Sequence, residues 1–243
     1  EKRKRPEPDF LVATGPENRR LLISVGRRDP GAVVPGSALR QIPEVENIRS
    51  GKRRSNQMLL ALDGVKGAER VLNWMIANAD SFRHMNIKIR SHPNIKLTSL
   101  LDQCVGKLPA NFSISRDDLD ADIRKSCCVL YRQTSVGLQA IMNGVPAIHL
   151  NVDAPLKCDP IAGLQEMKWT ARTPEDILSA LNKIDSFESE EIRSAAARAK
   201  EYAREYFCPP TEKNMAVFTE PIENQAEALP PIMESTICGA DRN

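Results

Sequence analysis

Polar residues of the kinds that bind nucleotides occur in three short segments of the sequence. The first is Arg90-Ser91-His92-Pro93, which follows an apolar run. Pro93 ends that run and biases His92 towards an extended backbone. An imidazole at the end of a strand can donate a hydrogen bond to a phosphate or contact a base. A single histidine is more often structural, and both interpretations stay open, with Arg90, His92 and Pro93 as candidates for a binding site.

The second segment, Thr134-Ser135-Val136-Gly137, lies where an apolar strand is expected to run into a helix. Thr134 or Ser135 can cap that helix with a hydroxyl oxygen. The same hydroxyls, with the free N–H groups and the dipole of the helix start, can instead hold a phosphate. Gly137 removes a side chain where a ligand would pass. Capping accounts for one hydroxyl residue. The second hydroxyl and the glycine add support for a phosphate site, and both interpretations stay open.

The third segment, Asp63-Gly64-Val65-Lys66-Gly67, also joins an expected strand to an expected helix. Gly64 and Gly67 let the backbone approach a ligand closely, and a helix start favours an anion. Two glycines are also common in a tight turn that binds nothing. Both interpretations stay open for this segment.

A regular alternation of strands and helices positions these segments. Strands separated by helices of ten to fifteen residues indicate a mostly parallel sheet, and ligands of such sheets bind at the carboxyl ends of the strands. The sequence therefore predicts an α/β fold, a Rossmann-like parallel sheet with helices on both faces. The predicted strands are 58–62, 86–90, 111–115, 127–131 and 145–152, and the predicted helices are 68–79, 97–105, 119–125, 134–143, 174–184 and 189–207.

The flanking regions suggest four parts along the chain. Residues 1–40, with strands at 10–14 and 32–39 and a helix at 17–28, are predicted to end a preceding Rossmann-like domain. Residues 41–56 are polar and patternless, as in a linker. Residues 57–207 are predicted to form a Rossmann-like domain that binds a nucleotide. Residues 208–243 are a C-terminal extension, and we expect the tail after Asn224 to be poorly ordered.

Composition excludes several other classes of protein. The formal charge is +2, from 34 Lys and Arg against 32 Asp and Glu, whereas nucleic-acid binders carry a larger or more localised excess. No apolar run approaches the roughly 18 residues of a membrane helix. The six cysteines form no CxxC pair, and the three histidines lack metal-ligand spacing. We expect a cytoplasmic protein with reduced thiols and no metal site.

Together these pieces resemble the C-terminal domain of GT-B glycosyltransferases, most closely enzymes of bacterial surface-carbohydrate and capsule biosynthesis. The resemblance covers roughly residues 10 to 205. The stretches that carry it are Arg90-Ser91-His92-Pro93, Thr134-Ser135-Val136-Gly137 with Gly144-Val145-Pro146, and Asp159-Pro160. Thr14-Gly15-Pro16-Glu17-Asn18 and Ala38-Leu39-Arg40 are similar to the end of the N-terminal domain of that fold.

The resemblance implies that the nucleotide part of a sugar donor is bound by the segments described above. The residues implied are Gly64, Arg90, His92, Pro93, Thr134, Ser135, Gly137 and Gln139. The His-Pro and hydroxyl pairs are similar to those of enzymes that use cytidine nucleotides, so CMP- or UDP-linked sugars are the expected donors. Gln139 stands where many GT-B enzymes have a Glu that grips the ribose, and Gln lacks that charge-assisted grip.

The resemblance further implies a metal-independent transferase that uses the nucleotide-sugar as substrate and needs no cofactor. The acceptor would be a surface polysaccharide or another glycan, free or lipid-linked, which places the protein in the cytoplasm or at the inner face of the membrane. No residue is assigned as the catalytic base, which this fold usually takes from its N-terminal domain. Two alternatives remain open, a nucleotide-sugar epimerase-like enzyme and a noncatalytic nucleotide- or glycan-binding subunit.

Overall fold

The structure is a computed structural model that describes residues 8–39, 55–64, 67–104, 106–152 and 159–218. The chain divides into two compact units. The larger comprises residues 44–200, and the smaller combines residues 1–43 with residues 201–243. Most of the predicted linker and the tail after Phe218 lie outside the described residues.

A six-stranded, fully parallel sheet forms the centre of the larger unit. Its strands are β3 (Gln57–Ala61), β4 (Asn86–Arg90), β5 (Phe112–Ile114), β6 (Cys128–Tyr131), β7 (Ala147–Leu150) and β8 (Lys168–Ala171). Their order in the sheet is β5-β4-β3-β6-β7-β8. The chain moves outward from β3 through β4 to β5 and then returns to place β6 on the other side of β3.

Six helices accompany this sheet, and their ends follow from local sequence. Thr173 and Asp176 form a capping box at the start of the helix that begins at Pro174, and Asp118 accepts the N–H of Ala121 at the start of another. Gly144, with φ 72°, ends the fourth of these helices as the sequence predicts. The helices are α2 (Ala68–Ala77), α3 (Leu97–Leu101), α4 (Leu119–Lys125), α5 (Val136–Met142), α6 (Pro174–Ile184) and α7 (Ser189–Tyr206).

Alternate residues of the strands supply the two faces of the sheet. Met58 and Leu60 of β3 belong to a buried cluster that includes Val71 and Leu72 of α2 and Ile177 of α6. The opposite face packs against α4 and α5, which contact β3 and β6–β7 respectively. The buried strands of a parallel sheet are apolar on both faces for this reason. The predicted Rossmann-like fold is confirmed.

A parallel pair of short strands, β1 (Leu11–Ala13) and β2 (Val33–Pro35), lies in the smaller unit. Helix α1 (Pro16–Ser24) connects them, and α8 (Glu212–Met215) belongs to the C-terminal part of the unit. The Thr14 hydroxyl donates to the Tyr206 carbonyl at 2.8 Å. A Cβ on Gly15 would lie 2.2 Å from the Glu205 carbonyl oxygen, so the close approach of these segments requires glycine.

A buried carboxylate also helps to hold the smaller unit together. Both oxygens of Glu17 accept hydrogen bonds from Arg20 at 2.6 Å, and the Tyr202 hydroxyl donates to the same group at 2.9 Å. Glu17 is 8% exposed. The hydrogen bond to Glu17 raises the pKa of Arg20.

Sequence and structure differ mainly in short elements. Strand β8 was not predicted, because four residues with a lysine and a threonine give little periodic signal. Helix α5 begins at Val136 and not at Thr134, and α3 ends at Leu101 and not at residue 105. Within the described residues, no helix combines the length and apolar character of a bilayer-crossing segment.

Candidate functional site

The candidate site lies at the carboxyl ends of β3, β4 and β6. Because the chain leaves β3 towards β4 on one side and β6 lies on the other, the gap between β3 and β6 is the topological switch point of the sheet. Open α/β sheets bind ligands in this crevice. Asp63 and Gly64 follow β3, His92 follows β4 and Arg132 follows β6.

His92 packs directly against the backbone of Gly64. A Cβ on Gly64 would lie 2.7 Å from His92 Nδ1 and 2.9 Å from Cγ, so the ring occupies the space that another side chain would take. His92 Nδ1 accepts the Asn94 N–H at 3.2 Å. The proton of the neutral imidazole therefore lies on Nε2, which is a donor. The structure thus brings together two of the predicted site residues.

A buried ion pair crosses the crevice between β3 and β6. Arg132 Nε donates to Asp63 Oδ2 at 2.7 Å, and Nη2 donates to Oδ1 at 3.0 Å. The side chains are 6% and 2% exposed. Sequence analysis included Asp63 in a candidate segment but predicted no pairing between Asp63 and Arg132. The available signal was a charged residue immediately after each of two apolar strands, since such a charge must find a partner or a ligand.

The hydroxyls of Thr134 and Ser135 are weakly engaged. Ser135 is the N-cap residue of α5 but makes no side-chain capping bond. Thr134 Oγ1 accepts the Val136 N–H at 3.4 Å, which is a long hydrogen bond. Within the described residues, the N–H groups of Ser135 and Gly137 have no hydrogen-bond partner. The start of α5 therefore keeps donors that a ligand oxygen can use.

Packing explains the glycine at position 137. A Cβ there would lie 2.7 Å from Cε1 of Tyr131, so the ring of Tyr131 fills the place of a side chain. Gly137 is buried, and the space it leaves is occupied by protein. Gln139 follows on α5, half-buried, and its side-chain amide has no hydrogen-bond partner among the described residues.

Arg90 belongs to an internal network. Its Nη1 donates to Asp122 Oδ2 at 2.8 Å and to the Asp117 carbonyl at 2.7 Å. Asp122 is fully buried, and the Ser115 hydroxyl donates to the same Oδ2. These contacts fasten the connection between β5 and α4. Pro93 is exposed beside His92.

The acidic run of α4 spells Asp-x-Asp, a spacing that can hold a divalent cation. Each carboxylate has another partner here. Asp118 caps the helix, Asp120 pairs with Arg124 at 2.8 Å, and Asp122 pairs with Arg90. Among the residues that the structure describes, no three His, Cys, Asp or Glu side chains form a group suited to a metal ion.

A second polar cluster surrounds the side chain of Tyr131, the last residue of β6. The Tyr131 hydroxyl donates to Asp159 Oδ1 at 2.9 Å, and Lys168 pairs with Asp159 Oδ2 at 2.8 Å. His149, on the neighbouring strand, lies with its ring 5.4 Å from that of Tyr131. Burial lowers the pKa of His149, although Asp159 opposes this shift. These two bonds hold Asp159 against strands β6 and β8. Pro160 is the next residue in the chain.

Comparison with known proteins identifies the fold. No family model and no curated protein match this sequence. Among solved structures, a mutant of S. aureus TarM in complex with Fondaparinux, alpha-GlcNAc-glycerol and UDP is similar, with a TM-score of 0.53 and 10% identity. That match covers 87% of this chain and 43% of TarM. The GtfA/B complex matches with a TM-score of 0.51 and 11% identity, over 90% of this chain and 46% of that one.

The glycosyltransferase SnogD from Streptomyces nogalater is also similar, with a TM-score of 0.48 and 17% identity over 86% of this chain and 56% of SnogD. The fold is that of GT-B glycosyltransferases. The chain spans about half the length of these proteins or less.

Proposed function

We propose that this chain is the donor-binding part of a glycosyltransferase that transfers a sugar from a CMP- or UDP-linked donor to a glycan or lipid-linked acceptor. The observation that carries the proposal is the convergence of His92, Gly64 and Arg132 at the switch point of a GT-B-like sheet. The sequence resemblance to surface-carbohydrate enzymes supports polysaccharide biosynthesis as the setting. It also supports a location in the cytoplasm or at the inner face of the membrane.

In this mechanism an acceptor hydroxyl attacks the anomeric carbon of the donor. The new carbon–oxygen bond forms as the bond to the nucleotide phosphate breaks, and the hydroxyl proton passes to a base that is not assigned in this chain. Negative charge develops on the departing phosphate. The N–H groups of Ser135 and Gly137, with the two hydroxyls, offer donors for that charge without a metal ion. His92 Nε2 adds a further donor for the nucleotide.

The proposed donor carries a pyrimidine nucleotide. The resemblance in the His-Pro and Thr-Ser segments favours cytidine, whereas the similar TarM structure contains UDP. Both pyrimidine nucleotides therefore belong in the first experiment. Cytosine carries an amino group at C4 where uracil carries a keto oxygen, so the comparison of the two nucleotides reports on recognition at that position.

The test is calorimetric titration of the full chain with CMP, CDP, UMP and UDP, with AMP as a control for nonspecific phosphate binding. We expect at least one pyrimidine nucleotide to bind and AMP to bind more weakly. If a folded sample binds none of the pyrimidine nucleotides, the donor-site assignment is wrong.

Gln139 favours a second candidate function, a noncatalytic nucleotide-binding subunit. It replaces the carboxylate that many GT-B enzymes use to hold the ribose, which weakens the case for donor turnover. Release of free sugar from CMP- or UDP-sugars, followed by chromatography, separates the two candidates. Slow hydrolysis that Gln139→Glu accelerates would favour the transferase. Binding of the nucleotide-sugar with no hydrolysis by either protein would favour the subunit.

A further inference from the structure

Arg132 keeps one part of its guanidinium uncommitted although the side chain is buried. Nε and Nη2 are both occupied by Asp63, whereas no acceptor among the described residues takes the two N–H donors of Nη1. Arg132 is 5% exposed. Nη1 is not among the side-chain atoms that are sealed from solvent and lack a hydrogen-bond partner, which within the described residues are Asp122 Oδ1 and Asn143 Oδ1. The free donors therefore reach the crevice.

The same guanidinium lies at the start of α2. A Cβ on Gly67 would be 3.3 Å from Nη1 and 3.4 Å from Nη2, so the absence of a side chain at Gly67 admits the guanidinium. Gly67 has φ 103°, a left-handed conformation that other residues adopt only with strain. Helix α2 has ten residues, and its dipole adds positive potential at this end.

We propose that Arg132 is an anion-binding residue that holds a phosphate of the nucleotide, and that Asp63 is the positioning residue that orients it. This inference rests on the proposed function and identifies Arg132 as the positively charged side chain of that site. A guanidinium presents its donors in a fixed plane. When Asp63 holds the Nε–Nη2 edge, the direction of Nη1 is fixed before any ligand arrives, which reduces the entropy lost on binding.

Glu69 is the residue that competes with such an anion. Its carboxylate accepts the Gly67 N–H at 3.0 Å, so the start of α2 carries an internal negative charge. The side chain is 30% exposed, which leaves it room to turn towards solvent. Removing this charge should strengthen anion binding. Glu69→Gln is therefore expected to increase affinity for a nucleotide severalfold.

The experiment measures dissociation constants of UDP and CMP, of uridine and cytidine, and of pyrophosphate for the full chain and for Arg132→Lys and Asp63→Asn. Lysine keeps the positive charge, but its ammonium group lacks the planar fork of a guanidinium. It cannot make two hydrogen bonds to Asp63 and at the same time direct a donor at the ligand. We expect each variant to lose about tenfold or more in nucleotide affinity, with less than a twofold change for the nucleosides. Arg20→Lys makes the same chemical change in the bidentate pair of the smaller unit and should leave all affinities unchanged.

A measurement on the unaltered protein covers the case in which these variants do not fold. The ¹⁵N-labelled Arg132 Nε–H signal should shift when UDP or pyrophosphate is added and should stay in place with uridine. Affinities that are equal for the full chain and the variants, or a signal that ignores phosphate, would overturn the role of Arg132 and leave the proposed function intact. Pyrophosphate binding that depends on Arg132, without any nucleotide binding, would refute the proposed function but support the anion site. Binding of neither ligand would refute both.

Discussion

His92 combines a fixed position with an Nε2 donor that no acceptor among the described residues takes. Its ring lies on Gly64, its Nδ1 is occupied by the Asn94 N–H, and the side chain is half-buried at a strand end. We expect His92→Ala to weaken nucleotide binding about tenfold, as loss of a hydrogen bond to a charged group does. The melting temperature should change little, since the ring is outside the main core. Calorimetry and thermal unfolding together decide this, and a large fall in stability with unchanged affinity would assign His92 a structural role.

The hydroxyls of Thr134 and Ser135 give a second prediction for single side chains. A full N-cap contributes about 1 kcal/mol, but Ser135 makes no capping bond and that of Thr134 is long. Replacing both with Ala should therefore cost less than about 1 kcal/mol of unfolding free energy. Affinity for the nucleotide should fall well beyond affinity for the nucleoside. Equal losses for both ligands would mean that the pair shapes the pocket and does not contact the phosphate.

The buried His149 makes stability depend on pH. Burial lowers its pKa in the folded protein, so the unfolded chain takes up a proton first as the pH falls through about 6.5, the ordinary histidine pKa. The unfolded state then binds more protons, and the unfolding free energy decreases. Urea unfolding between pH 5.5 and 7.5 should show this decline in the unaltered protein and a flatter profile in His149→Phe. His84→Gln, at an exposed position, should keep the original profile.

Only part of the candidate site could be predicted from the sequence. His92 and the Thr134-Ser135 pair were found because proline and hydroxyl residues mark strand ends and helix starts locally. The Asp63–Arg132 pair was missed, since its members are far apart in sequence and meet only because β6 returns beside β3. Arg90 was taken for a ligand residue, but its Nη1 contacts Asp122, whose position a local pattern does not reveal.

Packing against Tyr131 restricts which side chain helix α5 can carry at position 137. Gly137 lies against Tyr131, and the Tyr131 hydroxyl is bonded to Asp159, so the ring cannot move aside freely. An Ala in an open helix would be stabilising, but here we expect Gly137→Ala to cost about 1–3 kcal/mol through overpacking. Chemical denaturation measures the change. Gly31→Ala, where a Cβ would meet only an ordinary contact at 3.6 Å, serves as the control. A stabilised Gly137→Ala protein would refute the packing explanation.

Elements whose ends carry a local sequence signal were predictable, and the outer strand β8 was not. Strand β4 and helices α4 and α6 begin and end where the sequence predicts. Strand β8 has four residues, of which only Ala171 is buried, so its place in the sheet depends on pairing with β7 and not on its own pattern. Gly137 was interpreted as an opening for a ligand, whereas its neighbour in space is a side chain from the preceding strand.

For the molecule as a whole, the order of the sheet predicts where the backbone is most protected. Strands β3, β6 and β7 are interior and consist almost entirely of buried residues, and β5 and β8 are the outer strands of the described sheet. Interior strands open only in large unfolding events. Hydrogen exchange followed by mass spectrometry should therefore be slowest in residues 58–61, 128–131 and 147–150. Faster exchange there than in 112–114 or 168–171 would contradict this order.

The contact between β3 and β6 also bears on how the protein reaches its native state. Met58 pairs with Cys128, so this contact closes a long loop that contains β4, β5 and three helices. Pairings between distant parts of a chain have a high entropic cost and slow the folding reaction. Asp63 and Arg132 can meet only after that closure. The crevice is therefore assembled late, and a newly made chain would acquire its ligand affinity after most of its secondary structure.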